Sequence, residues 1–248
     1  MPPTSALALS RKASAYRIKS HTSVWVFGIN PAMGFTRLEL VVVIFVVAIL
    51  AFLGLPVFTS VSKKGPQAVD LSNARQVGLG LRLYASDHNG IFPTATKSAN
   101  VAFLQIMPKY VPSQKIFFLA DSGWCTGSHP VEADPSGTLA AGQNNFAYVT
   151  GLEDSDNTNY PLVADGFNEG APGVYNPVKG TKGGVWKGTK AIVIRVDDSG
   201  MIEKVATSDY RVYSNQPNSY YNGANPTGAD IFTTSATWMP SGVVLNPE

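Results

Sequence analysis

An unbroken run of apolar residues near the N-terminus is the strongest pattern in the chain. Residues 40–53 contain no polar side chain, and continuing the run to Phe58 gives 19 residues without a charge. At about 1.5 Å per residue this is roughly 28 Å of helix, close to the hydrocarbon thickness of a bilayer. A lone segment in lipid satisfies its backbone hydrogen bonds only as a helix. The run therefore predicts a membrane helix.

A second pattern, with helical spacing, predicts an amphipathic helix from about Gln67 to Asp87. Gly78 and Gly80 weaken this helix but leave room for a sheet to approach it closely. The segment that follows Asp87, His88-Asn89-Gly90, is typical of a helix end. The apolar positions of the stripe are Leu71, Ala74, Val77, Leu81 and Tyr84, widened by Leu79 and Leu83.

The second half of the chain is rich in Gly, Asn, Ser, Thr and Pro and contains short apolar runs. Four of these runs predict strands: residues 146–150, 160–164, 191–196 and 201–206. Residues 197–200, Asp-Asp-Ser-Gly, join the last two as a hairpin turn. Strands that follow a helix, rather than alternate with helices, favour an antiparallel sheet and the α+β class. The tail after Tyr213 predicts loops and one further strand.

Charge and composition argue against several classes of function. The 19 basic and 17 acidic residues nearly balance, so the surface gives no electrostatic reason to expect nucleic acid as a partner. One cysteine, Cys125, and three histidines leave little for a thiolate metal site or a catalytic triad. No nucleophile elbow surrounds any serine. We therefore expect no enzyme.

The acidic residue Glu39 stands directly before the apolar run. A carboxylate at the end of an apolar helix is costly to bury as an ion unless a cation pairs with it. A cleaved secretory signal, a plain signal anchor and a buried core helix are the alternatives for the run. None of them gives Glu39 a use, and a cationic partner would.

The segment GFTRLELVVVIFVVAILAFLGLP, residues 34–56, resembles the prepilin N-terminus of type IV pilins and type II secretion pseudopilins. The resemblance implies that prepilin peptidase cuts between Gly34 and Phe35 and that the new amine of Phe35 is methylated. It also implies that Glu39 pairs with the terminal amine of a neighbouring subunit. Pro56 would be where the helix bends; alternatively, it marks the end of the membrane helix. Arg37 departs from the family pattern, and the leader is long.

The resemblance implies three regions: a leader over 1–34, a transmembrane and assembly helix over 35–64, and an extracytoplasmic globular domain over 65–248. The expected fold is α+β, with a long N-terminal hydrophobic helix, then a helix packed on a small antiparallel sheet with long loops. The expected location is the bacterial inner membrane, single-pass, with the C-terminal domain in the periplasm and the assembled filament there or at the cell surface.

The segment NARQVGLGLRLYASDHNGIFP, residues 73–93, resembles the G-like pseudopilins, and the likeness fades after about residue 122. The function it implies is a structural subunit of a type II secretion pseudopilus, which helps export proteins. Its partners would be prepilin peptidase, other pilin or pseudopilin subunits and the inner-membrane assembly platform. The alternatives are a membrane-tethered extracytoplasmic binding domain, a minor subunit of a type IV or DNA-uptake pilus, and a surface-anchored hydrolase.

A group of carboxylates, Asp154, Asp156 and the later Asp165, has spacings that suit calcium, which takes hard oxygen ligands from loops. The resemblance adds to this, since some G-like pseudopilins hold calcium in their C-terminal loops. Asn159 stands where an EF-hand would need glycine, and no glutamate closes the loop. A solvated loop is the alternative. Calcium is the one cofactor that the sequence suggests.

Overall fold

A computed structural model describes residues 35–127, 137–214, 228–234 and 238–248, apart from the side chains of residues 53–64. The leader and Gly34 lie outside these residues. The chain divides into two compact units, Met1–Leu55 and Pro56–Glu248. The second unit contains the hydrophobic core and the sheet.

The first element is one continuous helix, α1 (Arg37–Asp87), of 51 residues. At its start the Glu39 amide donates to Thr36 Oγ1 over 3.1 Å. At its end Asn89 and Gly90 take φ values of +56° and +85°, and the Gly90 amide bonds back to the Ala85 carbonyl. Two residues in the left-handed conformation end a helix because they allow the backbone to close the last turn. The predicted end of the helix after Asp87 is confirmed.

The predicted fold class is wrong in its helices. A long hydrophobic N-terminal helix followed by a separate helix was expected, but α1 continues through Gly65 and Pro66. The helix runs through both residues although glycine has low helix propensity and proline removes one backbone donor. In the part of the chain that the structure describes, no helix has both the length and the apolar character needed to cross a bilayer. The α+β composition with an antiparallel sheet is what the structure has.

The main sheet has five antiparallel strands in the order β4-β3-β2-β1-β7. Four strands match the predicted runs within one or two residues at each end, and residues 197–200 form the predicted turn region. The strands are β1 (Phe146–Thr150), β2 (Pro161–Asp165), β3 (Lys190–Arg195), β4 (Gly200–Lys204) and β7 (Val243–Leu245).

Burial along the strands shows where the core lies. Every residue of β1 and β2 is buried, so both faces of the sheet are covered there. The edge strand β4 exposes three of its five residues. Strands buried on both faces read as continuous apolar runs, which is why β1 to β3 could be found in the sequence.

The C-terminal part of α1 packs on the sheet through a close approach and two long side chains. A Cβ on Gly78 would lie 2.8 Å from Ile194 Cγ2 of β3. Arg75 Nη2 donates to the Gly200 carbonyl over 2.8 Å, and Arg82 Nη1 donates to the Val196 carbonyl over 2.6 Å. Both ends of the β3–β4 turn are thus bonded to one face of α1.

The predicted apolar stripe of α1 is confirmed at its centre and wrong at its margin. Ala74, Val77 and Leu81 are fully buried. Leu79 and Leu83, which were expected to widen the stripe, are 51% and 46% exposed. Each lies two residues from Leu81, which is about 200° around a helix of 3.6 residues per turn, so both lie on the opposite side.

Several short elements were missed. Each contains too few residues to show a clear period in the sequence. They are helix α2 (Ala99–Leu104), a 3₁₀ turn (Gln114–Phe117), and a two-stranded sheet of β5 (Tyr213–Ser214) and β6 (Ala229–Asp230). Strand β7, only three residues long, pairs with β1 at the other edge of the main sheet.

Candidate functional site

The start of α1 is built around Thr36. Its hydroxyl accepts from the Glu39 amide, and its carbonyl accepts from the Leu40 amide over 3.1 Å. Thr36 is therefore the N-cap, and Thr-x-x-Glu has the form of a capping box. The sequence analysis missed this use of Glu39: a carboxylate in the first turn also interacts favourably with the helix dipole.

The side chains that follow Glu39 are apolar and exposed around the whole helix. Residues 40–47 are all more than a third exposed, and consecutive residues of a helix point in every direction around its axis. We call residues 35–52 the apolar segment. Its exposed large apolar side chains are Phe35, Leu38, Leu40, Val41, Val42, Val43, Ile44, Phe45, Val46, Val47, Ile49, Leu50 and Phe52.

An apolar surface of this extent is unusual for a soluble monomer and is typical of a surface that another molecule or lipid covers. Phe35 and Glu39, two of the residues named from the sequence, lie at its beginning and are exposed, Phe35 at 72%. Gly34, the other side of the expected cleavage site, lies outside the described residues. Pro56 lies within α1, which continues on both sides of it.

The three carboxylates proposed for calcium are not brought together. Asp154 and Asp156 lie in the turn after β1: the Asp154 amide donates to the Gly90 carbonyl, and Asp156 Oδ2 accepts from the Glu153 amide over 2.8 Å. Asp165 is the last residue of β2 and is fully buried. Within the described ranges, no group of three or more His, Cys, Asp or Glu side chains is arranged to hold a metal ion.

Asp165 instead faces Asp70 of α1 in the core. The two carboxyl groups are hydrogen-bonded to each other. Burial, and then the charge of Asp165, raise the pKa of Asp70 well above its usual value. Burial also raises the pKa of Asp165, against the hydrogen bonds it accepts from Asp70, Ile192, Asn145 and Trp186. No sequence signal joined these residues, since they are far apart along the chain.

The single thiol lies near this pair but is poorly placed to react. Cys125 is 8% exposed, and its Sγ accepts from the Leu119 amide over 3.3 Å. Burial raises its pKa to about 11, so the nucleophilic thiolate is scarce at neutral pH. The side chain therefore acts as a small apolar filler.

A shallow groove lies where α1 meets the segment before the 3₁₀ turn. Its lining contains no charged side chain. Exposed Leu79 forms part of it. The other lining residues are Gln76, Tyr110, Val111, Pro112, Ser113 and Ile116.

No protein-family model matches this chain, and neither does any curated protein or solved structure.

Proposed function

We propose that this protein is a pilin-like structural subunit of a bacterial filament, of the type II secretion pseudopilus class. The observation that carries the proposal is the apolar segment, exposed around its whole circumference and preceded by the cleavage-type motif at Gly34 and Phe35. Burying such a surface against copies of itself removes roughly 25 cal/mol of unfavourable hydration for each Å² covered. Assembly, rather than catalysis, is the activity proposed.

Glu39 supports the proposal by its position. It is exposed in the first turn of α1, four residues after the residue that cleavage would make N-terminal. In a dry bundle of helices, attraction between a carboxylate and an ammonium is much stronger than in water. Pairing of Glu39 with the Phe35 amine of a neighbouring subunit would therefore set how far one subunit is shifted along the next.

The partners and location belong to the same proposal. Prepilin peptidase would act at Gly34, the assembly platform would feed subunits to the filament, and the precursor would reside at the inner membrane with residues 65–248 in the periplasm. Cell fractionation of the full chain checks the location. Recovery of the precursor in the cytoplasm would contradict it.

The test of the assembly role uses Glu39→Gln, which keeps a side chain able to cap α1 but removes the charge. We expect normal cleavage and N-methylation of Phe35, seen by mass spectrometry of the mature N-terminus. Filament yield should fall at least about ten-fold, because the attraction between the carboxylate and the amine is lost. Thr36→Ala is the comparison: it weakens the cap by about 1 kcal/mol but keeps the charge. Glu169→Ala, at an exposed acid, is the control.

Three results would contradict the proposal. Unchanged filament yield from Glu39→Gln would remove the role of the charge. A mature chain that retains residues 1–34 and stays monomeric would favour the membrane-tethered binding domain instead. Loss of yield in Thr36→Ala to the same degree as in Glu39→Gln would mean that Glu39 acts only in capping.

A further inference from the structure

Two carboxyl groups from different elements meet in the core of the Pro56–Glu248 unit. Asp70 of α1 is 1% exposed, and Asp165 of β2 is fully buried. Carboxylates are rarely buried without cationic partners, because removal from water strongly disfavours the ionised form. The direct contact between these two groups therefore needs an explanation of its own.

The environments of the two groups differ. Asp165 Oδ1 accepts from Asn145 Nδ2 over 3.0 Å. Its Oδ2 accepts from Trp186 Nε1 over 2.8 Å and from the Ile192 amide over 2.7 Å. All three donors are neutral N–H groups aimed at a carboxylate, and such bonds stabilise its ionised form.

Among the residues that the structure describes, no comparable set of donors surrounds Asp70. Its carboxyl group is hydrogen-bonded to Asp165, and its Oδ2 is buried without a partner. Two adjacent carboxylates cannot both ionise in a buried site, so one keeps a proton. The donors around Asp165 identify Asp165 as the ionised member. Asp70 is then the acid, and its O–H donates to Asp165.

We infer that Asp70 and Asp165 form a contact between α1 and β2 that depends on a shared proton. While the pair holds this proton, α1 stays packed on the sheet at Asp70. Loss of that proton leaves two facing negative charges in the core and favours separation of α1 from the sheet around Asp70. The bond from Asp70 to Asp165 is replaced by hydration of both carboxylates.

Among the described residues, Cys125 and Tyr175 are titratable groups whose pKa is raised by burial and then by the charges of Asp70 and Asp165. Cys125 has its pKa raised to about 11 by burial, and burial also raises the pKa of Tyr175, so both stay neutral. Lys190 of β3 is exposed, and its Nζ lies 3.4 Å from Gln67 Oε1, one helical turn before Asp70.

The direction of the pH effect follows from proton counts. In the unfolded chain Asp70 ionises near its ordinary pKa of about 3.9. Above that pH, and below the raised pKa of the folded state, the folded chain holds one proton more than the unfolded chain. Raising the pH therefore favours unfolding, by about ten-fold in the equilibrium constant per pH unit. This stability is complete below pH 4 and is lost as the pH rises through the folded-state pKa.

The test measures urea unfolding of the full chain in detergent micelles at several pH values from 5 to 7.5. Asp70→Asn keeps a donor to Asp165 and has no proton to lose. We expect the ratio of the wild type's equilibrium constant for unfolding to that of the variant to rise about ten-fold per pH unit. The control is Asp121→Asn, because Asp121 is a carboxylate whose side chain is 62% exposed. It should keep the wild-type slope.

A second measurement does not depend on the variant's folding. Infrared spectroscopy of the wild-type chain with ¹³C-labelled aspartate should show a protonated carboxylic acid above about pH 5, where an ordinary aspartate is ionised. Hydrogen exchange, corrected for intrinsic rates, should show that raising the pH speeds the opening of amides near Asp70 more than the opening of those in β1. Equal slopes in wild type and Asp70→Asn would overturn the inference. So would the absence of a protonated carboxyl signal above about pH 5.

Discussion

Gly78 allows α1 and the β3–β4 turn to come closer than any other residue would permit. A Cβ placed there would lie 2.5 Å from Asp198 Oδ1 and 2.8 Å from Ile194 Cγ2. Asp198 has φ of +67° and lies in the turn whose two ends are bonded to Arg82 and Arg75. The turn therefore has little freedom to move away from α1.

We expect Gly78→Ala to destabilise the fold. Alanine favours a helix over glycine by up to about 1 kcal/mol, but forcing a methyl group into a packed contact costs about 1–3 kcal/mol. The net loss should be about 1 kcal/mol, measured as the free energy of unfolding in urea. The result that contradicts this is a gain in stability.

The matched control is Gly65→Ala in the same helix. Nothing lies within 4 Å of a Cβ at Gly65, so only the propensity remains. This variant should be as stable as the wild type or up to about 1 kcal/mol more stable. Opposite signs at two helical glycines would show that contact with the turn, rather than helix propensity, decides the result at Gly78.

At the scale of the element, α1 has one face in the core and one face outside it. Leu81 is fully buried, whereas Leu79 is 51% exposed beside the groove. These two leucines share a helix, a residue type and a backbone conformation. They differ only in what surrounds them.

Leu81→Ala should lower the free energy of unfolding by about 2–5 kcal/mol, because it leaves a cavity among the core side chains. Leu79→Ala should change it by no more than about 0.5 kcal/mol. Thermal or urea unfolding of both variants checks the orientation of α1 about its axis. Equal losses would mean that the buried face is assigned wrongly.

How far the sequence predicts the elements depends on whether their information is local. The strands β1 to β4 are apolar runs between turn residues, so both their type and their order could be inferred. The prediction of a separate helix from about Gln67 was wrong: Gly65 and Pro66 disfavour a helix locally, but α1 continues through them. The three residues of β7 carry no period, and only pairing with β1 makes them a strand.

The candidate sites, like the elements, could be predicted only where the information is local in the sequence. Glu39 and Phe35 could be named because their motif is contiguous, although the cap on Thr36 was overlooked. Asp165 was grouped with Asp154 by spacing, but it is buried at the end of β2 and bonded to groups from three other segments. Its contact with Asp70 depends on how α1 packs on the sheet, which no local pattern contains.

At the scale of the whole molecule, the two units present different surfaces. The Pro56–Glu248 unit has a closed core of strands, loops and one face of α1. The described part of the other unit is the apolar segment, with exposed side chains throughout. Stability and assembly should therefore respond to different substitutions, and a charge placed on the apolar segment is the sharpest way to separate them.

Val43 and Val178 make that separation testable. Both are exposed, at 48% and 57%, but Val43 lies in the apolar segment and Val178 in the loop before β3. If subunits bury the apolar segment, lysine at position 43 places an ammonium in a dry interface, which disfavours assembly strongly. Val43→Lys should weaken self-association at least about ten-fold in sedimentation after detergent removal, with the unfolding midpoint of the core unchanged. Val178→Lys should leave both quantities as in the wild type. Equal self-association of the two variants would mean that the apolar segment is not the assembly surface, whatever the motif before it implies.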